Sequence, residues 1–295
     1  MGYVFLALAL FAGATKGYCG KKTSGYLSGL RDSLLASSLR MLLCILIGLI
    51  TVLLDGSGVQ LRPSGKLLLI AALSGISTAV FVVSWLIAVK KSAYMMLDIF
   101  LMLGVLIPII GGSLFFRETV PLTKWLGIAV LLAAVLLMCS YNQSLKGKLT
   151  VSSLLLLLLC GTSSGIADFS QKLFVHQLPG ISASVFNFYT YVFAGIAMVA
   201  AYFLFCPKDG APKTENLSKI FGYIAIMALC LFANSYFKTL AAARLDAVLL
   251  YPVNQGAGLI LASAMASFLF HEKLTPKAIA GIILAFVGLL IINLL

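Results

Sequence analysis

The sequence predicts an all-α membrane protein with ten transmembrane helices, arranged as two inverted five-helix repeats. Composition is the first reason: 61% of the 295 residues are hydrophobic and only 10% are charged, whereas soluble domains carry about 25% charged residues. The second reason is that the chain divides into ten apolar segments of roughly the 20 residues that cross a bilayer. The third is an internal repeat, because a shift of 154 residues aligns the first half with the second.

The ten apolar segments account for almost the whole chain. They are residues 2–20, 32–54, 66–89, 93–115, 121–140, 150–171, 181–205, 219–239, 246–269 and 276–294. The first resembles a signal peptide, but it lacks a basic start and the repeat requires a helix there, so we interpret it as a span. We therefore expect a first repeat over 1–140, a connecting loop over 141–149, and a second repeat over 150–295. Since five is an odd number, the second repeat enters the membrane in the opposite orientation.

The repeat is clearest just before the last helix of each unit. Phe116, Glu118, Gly127 and Ile128 align with Phe270, Glu272, Gly281 and Ile282. Glu118 and Glu272 each precede a proline that starts a helix, where the helix dipole favours a carboxylate, so we expect both to be structural. A duplicated apolar unit of about five helices is typical of secondary transporters, whose site lies between the repeats. The repeat therefore predicts a carrier.

Residue spacing argues against several other classes of protein. No two of the nine acidic residues lie within one helical turn inside a predicted span, and no catalytic elbow or phosphate loop occurs. We therefore expect no enzymatic activity, no cofactor and no metal site. The net charge of +12 comes from Lys and Arg spread through short loops. That distribution predicts orientation signals rather than nucleic-acid binding.

Four charged residues in the predicted spans are candidates for the interior of the bundle. A charge at the centre of a bilayer costs at least about 2.5 kcal/mol and must face the interior or a water-filled cavity. Arg40 is near mid-depth in the second segment, and Lys16 is either inside the first segment or at its end. Asp98 and Asp168 lie in the fourth and sixth segments. Either acid could bind a cation or a proton, or neutralise Arg40 or Lys16 in a structural ion pair.

Polar and aromatic residues complete the predicted site. With Asp98 and Asp168, the predicted substrate-binding residues are Trp85, Tyr94, Asn187, Tyr251, Asn254 and Gln255, while Arg40 and Lys16 are predicted as cavity charges. The aromatic rings could stack on a ligand or anchor the helices at the interface. Pro252 in the ninth segment and Pro108 in the fourth occupy matching halves, and paired interrupted helices indicate a central site.

The repeated segments also carry a family resemblance. Phe116-Arg-Glu118 with Gly127, and Phe270-His-Glu272 with Gly281, resemble the EamA-type members of the drug/metabolite transporter superfamily. The resemblance extends over nearly the whole chain, and Arg40 resembles an arginine frequent in the family's second helix. It implies a central cavity lined by helices 1–4 and 6–9, peripheral helices 5 and 10, and cytoplasmic termini.

Two features depart from the family pattern, the basic stretch 16–22 and Asp98. The excess of basic residues in odd-numbered loops also favours the opposite orientation of the chain in the membrane.

These features together predict a secondary active transporter, an exporter or exchanger of a small polar or amphipathic organic metabolite. Alternating access would come from one repeat rocking against the other. The expected partners are the solute and the lipid bilayer, with a coupling proton or cation as an open alternative, and the expected location is the bacterial inner membrane. The alternative function is a non-transporting membrane subunit or a lipid-handling partner protein.

Overall fold

A computed structural model describes residues 1–24, 26–27, 30–90, 97–140, 151–205, 214–270 and 276–294. Within these ranges the chain forms helices and no strand, which confirms the predicted all-α class. The helices are α1 (Gly2–Ser24), α2 (Leu30–Leu54), α3 (Gly65–Lys90), α4 (Leu97–Gly104), α5 (Leu106–Phe116), α6 (Leu122–Ser140), α7 (Val151–Gln177), α8 (Ala183–Phe205), α9 (Thr214–Ala242), α10 (Ala247–Phe270) and α11 (Pro276–Leu294), with a short 3-10 helix at Ser57–Leu61.

Six of the described helices are long and apolar enough to cross a membrane. These stretches are Gly2–Gly20, Leu30–Leu54, Gly65–Ile87, Leu154–Gln177, Ala183–Phe205 and Lys219–Ala242. Shorter apolar stretches lie at Phe100–Phe116, Leu122–Leu137, Ala247–Leu261 and Ile279–Leu294, and the ten follow the order of the predicted segments. Large aliphatic side chains such as Leu69 and Leu122 are exposed on the outside of the bundle. An apolar exterior of this kind is solvated by lipid, so the protein is an integral membrane protein.

The fourth predicted segment consists of two helices, α4 and α5, separated only by Val105. Pro108 explains the interruption, because it has no N–H and its ring clashes with the carbonyl four residues earlier. That carbonyl belongs to Gly104, the last residue of α4. Val105 keeps right-handed helical dihedral angles, so the direction of the segment is largely preserved. In the matching segment, α10 runs through Pro252 without interruption.

The most extensive helix contacts join the first half of the chain to the second. They pair α1 with α9, α2 with α8, α3 with α7 and α8, and α6 with α11. The approach of α4 to α7 is especially close, since a methyl group at Gly161 would overlap the carbonyl oxygen of Phe100, and one at Gly165 that of Gly104. Small residues allow such backbone contact between membrane helices. The crossing fixes α7 next to the interior of the bundle.

Candidate functional site

Asp168 is the centre of the polar interior. Its Oδ1 forms an ion pair with Lys238 Nζ on α9 at 2.5 Å, and both side chains are 14% exposed. Tyr251 on α10 donates its hydroxyl to the backbone oxygen of Asp168 at 2.7 Å. Two predicted site residues therefore meet, and they join α7, α9 and α10 at one point. The counter-charge of Asp168 is Lys238, which the sequence analysis did not select.

Asn187 lies beside this point, on α8, and is completely buried. Its Nδ2 donates to Thr239 Oγ1 at 3.1 Å and to the Ala183 carbonyl at 2.8 Å, while its Oδ1 accepts from Ser235 Oγ at 2.6 Å. The Gln171 amide donates to Ser235 Oγ at 3.2 Å and so links this network to α7. Because both ends of the Asn187 amide are occupied, the side chain holds α8 against α9 in this structure.

Lys16 lies inside the first helix, because α1 continues to Ser24. This resolves the two positions that the sequence left open. Asn234 on α9 donates its amide to the Ala9 carbonyl at 2.6 Å, which holds α1 against α9. Lys16 is partly buried, and its charge interacts with those of Arg40 on α2 and Lys238 on α9. Three basic side chains thus converge from three helices.

The other predicted site residues have separate surroundings. Trp85 on α3 packs near Leu157 and Cys160 of α7. Asn254 and Gln255 on α10 are partly buried, and Asn254 Oδ1 has no hydrogen-bond partner among the described residues. The backbone of Asp98 belongs to α4, but its side chain, like all of Tyr94, lies outside the described residues.

Glu118 forms a second cluster, at one end of the bundle. Its Oε1 lies 2.7 Å from Lys172 Nζ, and the two side chains are 8% and 4% exposed. Lys172 also donates to the carbonyls of Leu245, at 2.7 Å, and Ala242, at 3.2 Å. Glu118 Oε2 accepts the backbone N–H of Ala247 at 2.8 Å. One carboxylate therefore connects the end of α5 to α7, α9 and α10.

The prediction that Glu118 meets a helix N-terminus is correct, but the predicted helix is wrong. A carboxylate does meet a helix N-terminus, but that helix is α10 and not α6, which follows Glu118 in the chain. The reason is local: Arg117 adopts a left-handed conformation, with φ 57°, and the Glu118 N–H donates to the Gly112 carbonyl at 3.3 Å. This turn ends α5 and places the acid against α10.

Asp55 makes a similar connection after the end of α2. It accepts hydrogen bonds from Ser184 Oγ at 2.5 Å, Ser182 Oγ at 3.1 Å and the Ser57 N–H at 2.9 Å, and so joins the end of α2 to the serines at the start of α8. Burial opposes its ionisation, but the hydrogen bonds from Ser184 and Ser57 outweigh burial and hold the pKa of the Asp55 carboxyl below its ordinary value of 3.8. We call the end of the bundle formed by residues 55–57, 116–119, 172–184 and 242–247 the tied end.

The start of α1 also packs at the tied end. The Arg244 guanidinium lies 4.9 Å from the centre of the Phe5 ring, a cation–π contact. A Cβ atom at Gly2 would lie 3.2 Å from that of Arg244. The α9–α10 connection therefore contacts α1 as well as α5 and α7, so helices from both halves of the chain close this end.

A cavity of about 680 Å³ opens at the tied end. Its lining consists of Phe116, Arg117, Glu118, Thr119, Lys172, Val175, His176, Pro179 and residues 242–246. His176 stacks on Phe116 with ring centres 4.0 Å apart, and its Nε2 is 3.9 Å from Glu118 Oε1. None of the predicted substrate-binding side chains that the structure describes lines this cavity. Lys172, at its wall, is one helical turn from Asp168.

Comparison with known proteins identifies the family. Residues 151–294 match the EamA-like transporter family. This half of the chain belongs to that family. The resemblance inferred from the sequence is thereby confirmed for this half, and the match indicates a membrane transporter of the drug/metabolite transporter superfamily. Members of the EamA-like family are transporters rather than enzymes.

The fold comparison covers both halves. Among 28 matching solved chains, one titled "Crystal structure of protein" is 14% identical, has a TM-score of 0.77, and is matched over 99% of this chain and 96% of its own. At that identity the match establishes the fold alone, and it covers both halves of the chain. A comparison with curated proteins finds no significant match.

Proposed function

We propose that this EamA-like protein is a secondary active transporter, an exporter or exchanger, that moves a small organic metabolite by alternating access. The observation that carries the proposal is the charged interior, where the Asp168–Lys238 ion pair, Lys16 and Arg40 lie inside an apolar bundle. Ionisable groups at membrane depth are energetically costly, and they mark substrate or ion pathways. The proposed site lies between α1, α2, α7, α9 and α10.

The packing supports the inverted-repeat part of the proposal. If α1, α2 and α3 are exchanged with α7, α8 and α9, the pair α1–α9 becomes α7–α3, and the pair α2–α9 becomes α8–α3. All four pairs are in contact. The pair α2–α8 is converted into itself. If α6 is exchanged with α11 in the same way, the pair α6–α11 is also converted into itself. A two-fold axis in the membrane plane, relating inverted repeats, has this property.

In the proposed cycle the described conformation is closed at the tied end. The bonds of Glu118 to Lys172 and to the Ala247 N–H join α5, α7 and α10 across that end. Opening there requires these bonds to separate, while the interior charges stay between the two halves. A solute that enters the interior can compete with the ion pair between Asp168 and Lys238. Because that pair joins α7 to α9, solute binding is coupled to the packing of these two helices.

Transport in proteoliposomes tests the proposal. Purified protein would be reconstituted and assayed by counterflow with amino acids, nucleosides, sugars, quaternary amines and organic acids at pH 6 and 8. We expect saturable exchange of one class, and at least a tenfold loss in Asp168→Asn, because Lys238 loses its counter-charge. Asp246→Asn, an exposed acid at the tied end, is the matched control.

Two results would count against the proposal. Wild-type exchange by Asp168→Asn would remove that residue from the site. Absence of exchange for every solute, from protein that is monodisperse and folded, would favour the non-transporting or lipid-handling alternative.

A further inference from the structure

We propose that the transported solute carries a carboxylate or phosphate group, and that Lys16 and Arg40 bind it. This inference rests on the proposed transport function and specifies the substrate class. Of the roles that the sequence left open for Asp168, it favours a structural ion pair, since Asp168 is already paired with Lys238.

The first argument is the balance of charge. Lys16 on α1 interacts through its charge with Arg40 and Lys238, and the acid Asp168 lies against Lys238. Since Asp168 pairs with Lys238 at 2.5 Å, Lys16 and Arg40 have no carboxylate partner among the described residues. The charge of Lys16 is repelled by both of the other cations. A bound anion would neutralise a site that otherwise carries an excess of about two positive charges in a low-dielectric surrounding.

The second argument is the unused donor of Arg40. Its Nε is enclosed and has no hydrogen-bond partner among the described residues. An enclosed donor without a partner costs about 1–3 kcal/mol, and more when it is charged. The guanidinium fork matches the two oxygens of a carboxylate or phosphate, which can accept two parallel hydrogen bonds. An anionic group at this position would therefore satisfy both the charge and the free N–H.

The neighbouring side chains do not supply the missing negative charge. The Cys44 thiol donates to the Ala228 carbonyl at 3.4 Å, and the Tyr191 hydroxyl donates to the Leu231 carbonyl at 3.1 Å. Both groups are protonated in these bonds, so they are neutral. They line the space around Arg40 without neutralising it.

The described acids outside the interior are also accounted for. Glu118 binds Lys172, and Asp55 binds the serines at the start of α8. Asp32 is eight residues from Arg40 on α2, about 12 Å along the helix. The Asp98 side chain is outside the described residues, so Asp98→Asn belongs in the experiment.

Binding to purified protein in a non-ionic detergent tests the inference. The probes would be succinate, glucose 6-phosphate and inorganic phosphate, against choline and glucose as cationic and neutral controls, and phosphatidylglycerol as a lipid source of phosphate. We expect an organic anion to raise Tm saturably, since a ligand of the folded state stabilises it by mass action. Choline and glucose should give no shift.

The variants are matched by residue type. Arg40→Gln and Lys16→Gln should each raise the apparent Kd for that anion at least tenfold, while Arg40→Lys retains part of the affinity because it keeps the charge. The exposed residues Arg62 and Lys66 provide the controls Arg62→Gln and Lys66→Gln, which should bind as the wild type does. Asp98→Asn should bind the anion at least as tightly, because Lys16 and Arg40, and not an acid, are proposed to hold it. Lys16→Gln also serves as the second variant if Arg40→Gln fails to fold.

Four results would overturn the inference. A shift with choline or glucose alone would reject an anionic substrate, and counterflow of that same solute would leave the transport proposal intact. Anion binding that survives both Arg40→Gln and Lys16→Gln would place the anion elsewhere. A response to phosphatidylglycerol alone would assign the two cations to a lipid headgroup. No response to any probe, from protein that exchanges another solute in proteoliposomes, would reject the assignment as well.

Discussion

The Glu118 side chain connects the end of α5 to α7 and α10. It is bonded to Lys172 and to the first N–H of α10, and both partners of the ion pair are nearly inaccessible. Removing one partner of a buried pair leaves an uncompensated charge, which costs about 3–5 kcal/mol. Lys172 keeps two carbonyl acceptors. We therefore expect Glu118→Gln to lose roughly 2–3 kcal/mol of unfolding free energy, measured by denaturation in mixed micelles. Asp246→Asn is the exposed control, and equal stability of both variants would contradict the role of the pair.

Asp55 predicts a dependence of stability on pH. The pKa of Asp55 is lower in the folded protein than its ordinary value of 3.8. The stabilising effect of Asp55 is therefore complete well above pH 3.8 and is lost as pH falls through the folded pKa. Asp55→Asn should therefore be less stable than the wild type at pH 7, by about 0.5–1 kcal/mol because the site is exposed. The difference should begin to decrease near pH 3.8 and should disappear only below the pKa of folded Asp55, which is lower. Thermal unfolding of both proteins between pH 7 and pH 3 measures it, and a constant difference would exclude Asp55 as its source.

At the residue scale, the sequence selected Asp168 but not its counter-charge Lys238. Asp168 and Tyr251 were selected, and they do meet. Lys238 was not selected, because it is one residue from the end of the predicted segment 219–239, where a lysine usually extends to the interface. The helix in fact continues to Ala242, and the extra residues place Lys238 inside the bundle. The pairing of Glu118 with Lys172 arises from tertiary packing between distant segments, which residue spacing does not encode.

Among the elements, the crossing of α4 and α7 depends on glycine at its closest point. An alanine methyl at position 161 would overlap the Phe100 backbone oxygen, so the helices would have to separate. Overpacking of this kind costs typically about 1–3 kcal/mol. We expect Gly161→Ala to lower Tm and to reduce transport, because Asp168 moves with α7. Gly222→Ala on α9 is the control, since its added methyl meets open space. A wild-type Tm for Gly161→Ala would show that the crossing tolerates a wider separation.

The order and approximate bounds of the elements followed from hydropathy. The exceptions have local causes: Pro108 interrupts the fourth segment after Gly104, and α1, α7 and α9 extend past their apolar stretches to Ser24, Gln177 and Ala242. A hydropathy pattern ends where polar residues begin. A helix instead ends where its backbone hydrogen bonds end, and the two limits differ most where polar residues are buried.

For the molecule as a whole, alternating access predicts that the tied end must open. Cysteines at Gly2 and Arg244 would have Cβ atoms about 3.2 Å apart, slightly closer than the roughly 3.5–4.5 Å of a disulfide. We expect oxidation of Gly2→Cys/Arg244→Cys to join α1 to the α9–α10 connection and to stop transport, and a reductant to restore it. Each single variant controls for the native cysteines. Full transport by the oxidised, cross-linked protein would mean that this end stays closed throughout the cycle.

The pairing of helices across the two halves has a consequence for how the protein is made. The helices of the first half enter the membrane before those of the second half exist, because a chain is synthesised from its N-terminus. Until then α1, α3 and α6 lack α9, α7 and α11, the helices against which they pack most extensively, and the backbone at Gly104 lacks its contact with α7. Neither half can reach its final packing alone. The helices of the first half must therefore stay loosely packed in the bilayer until the second half has been synthesised and inserted.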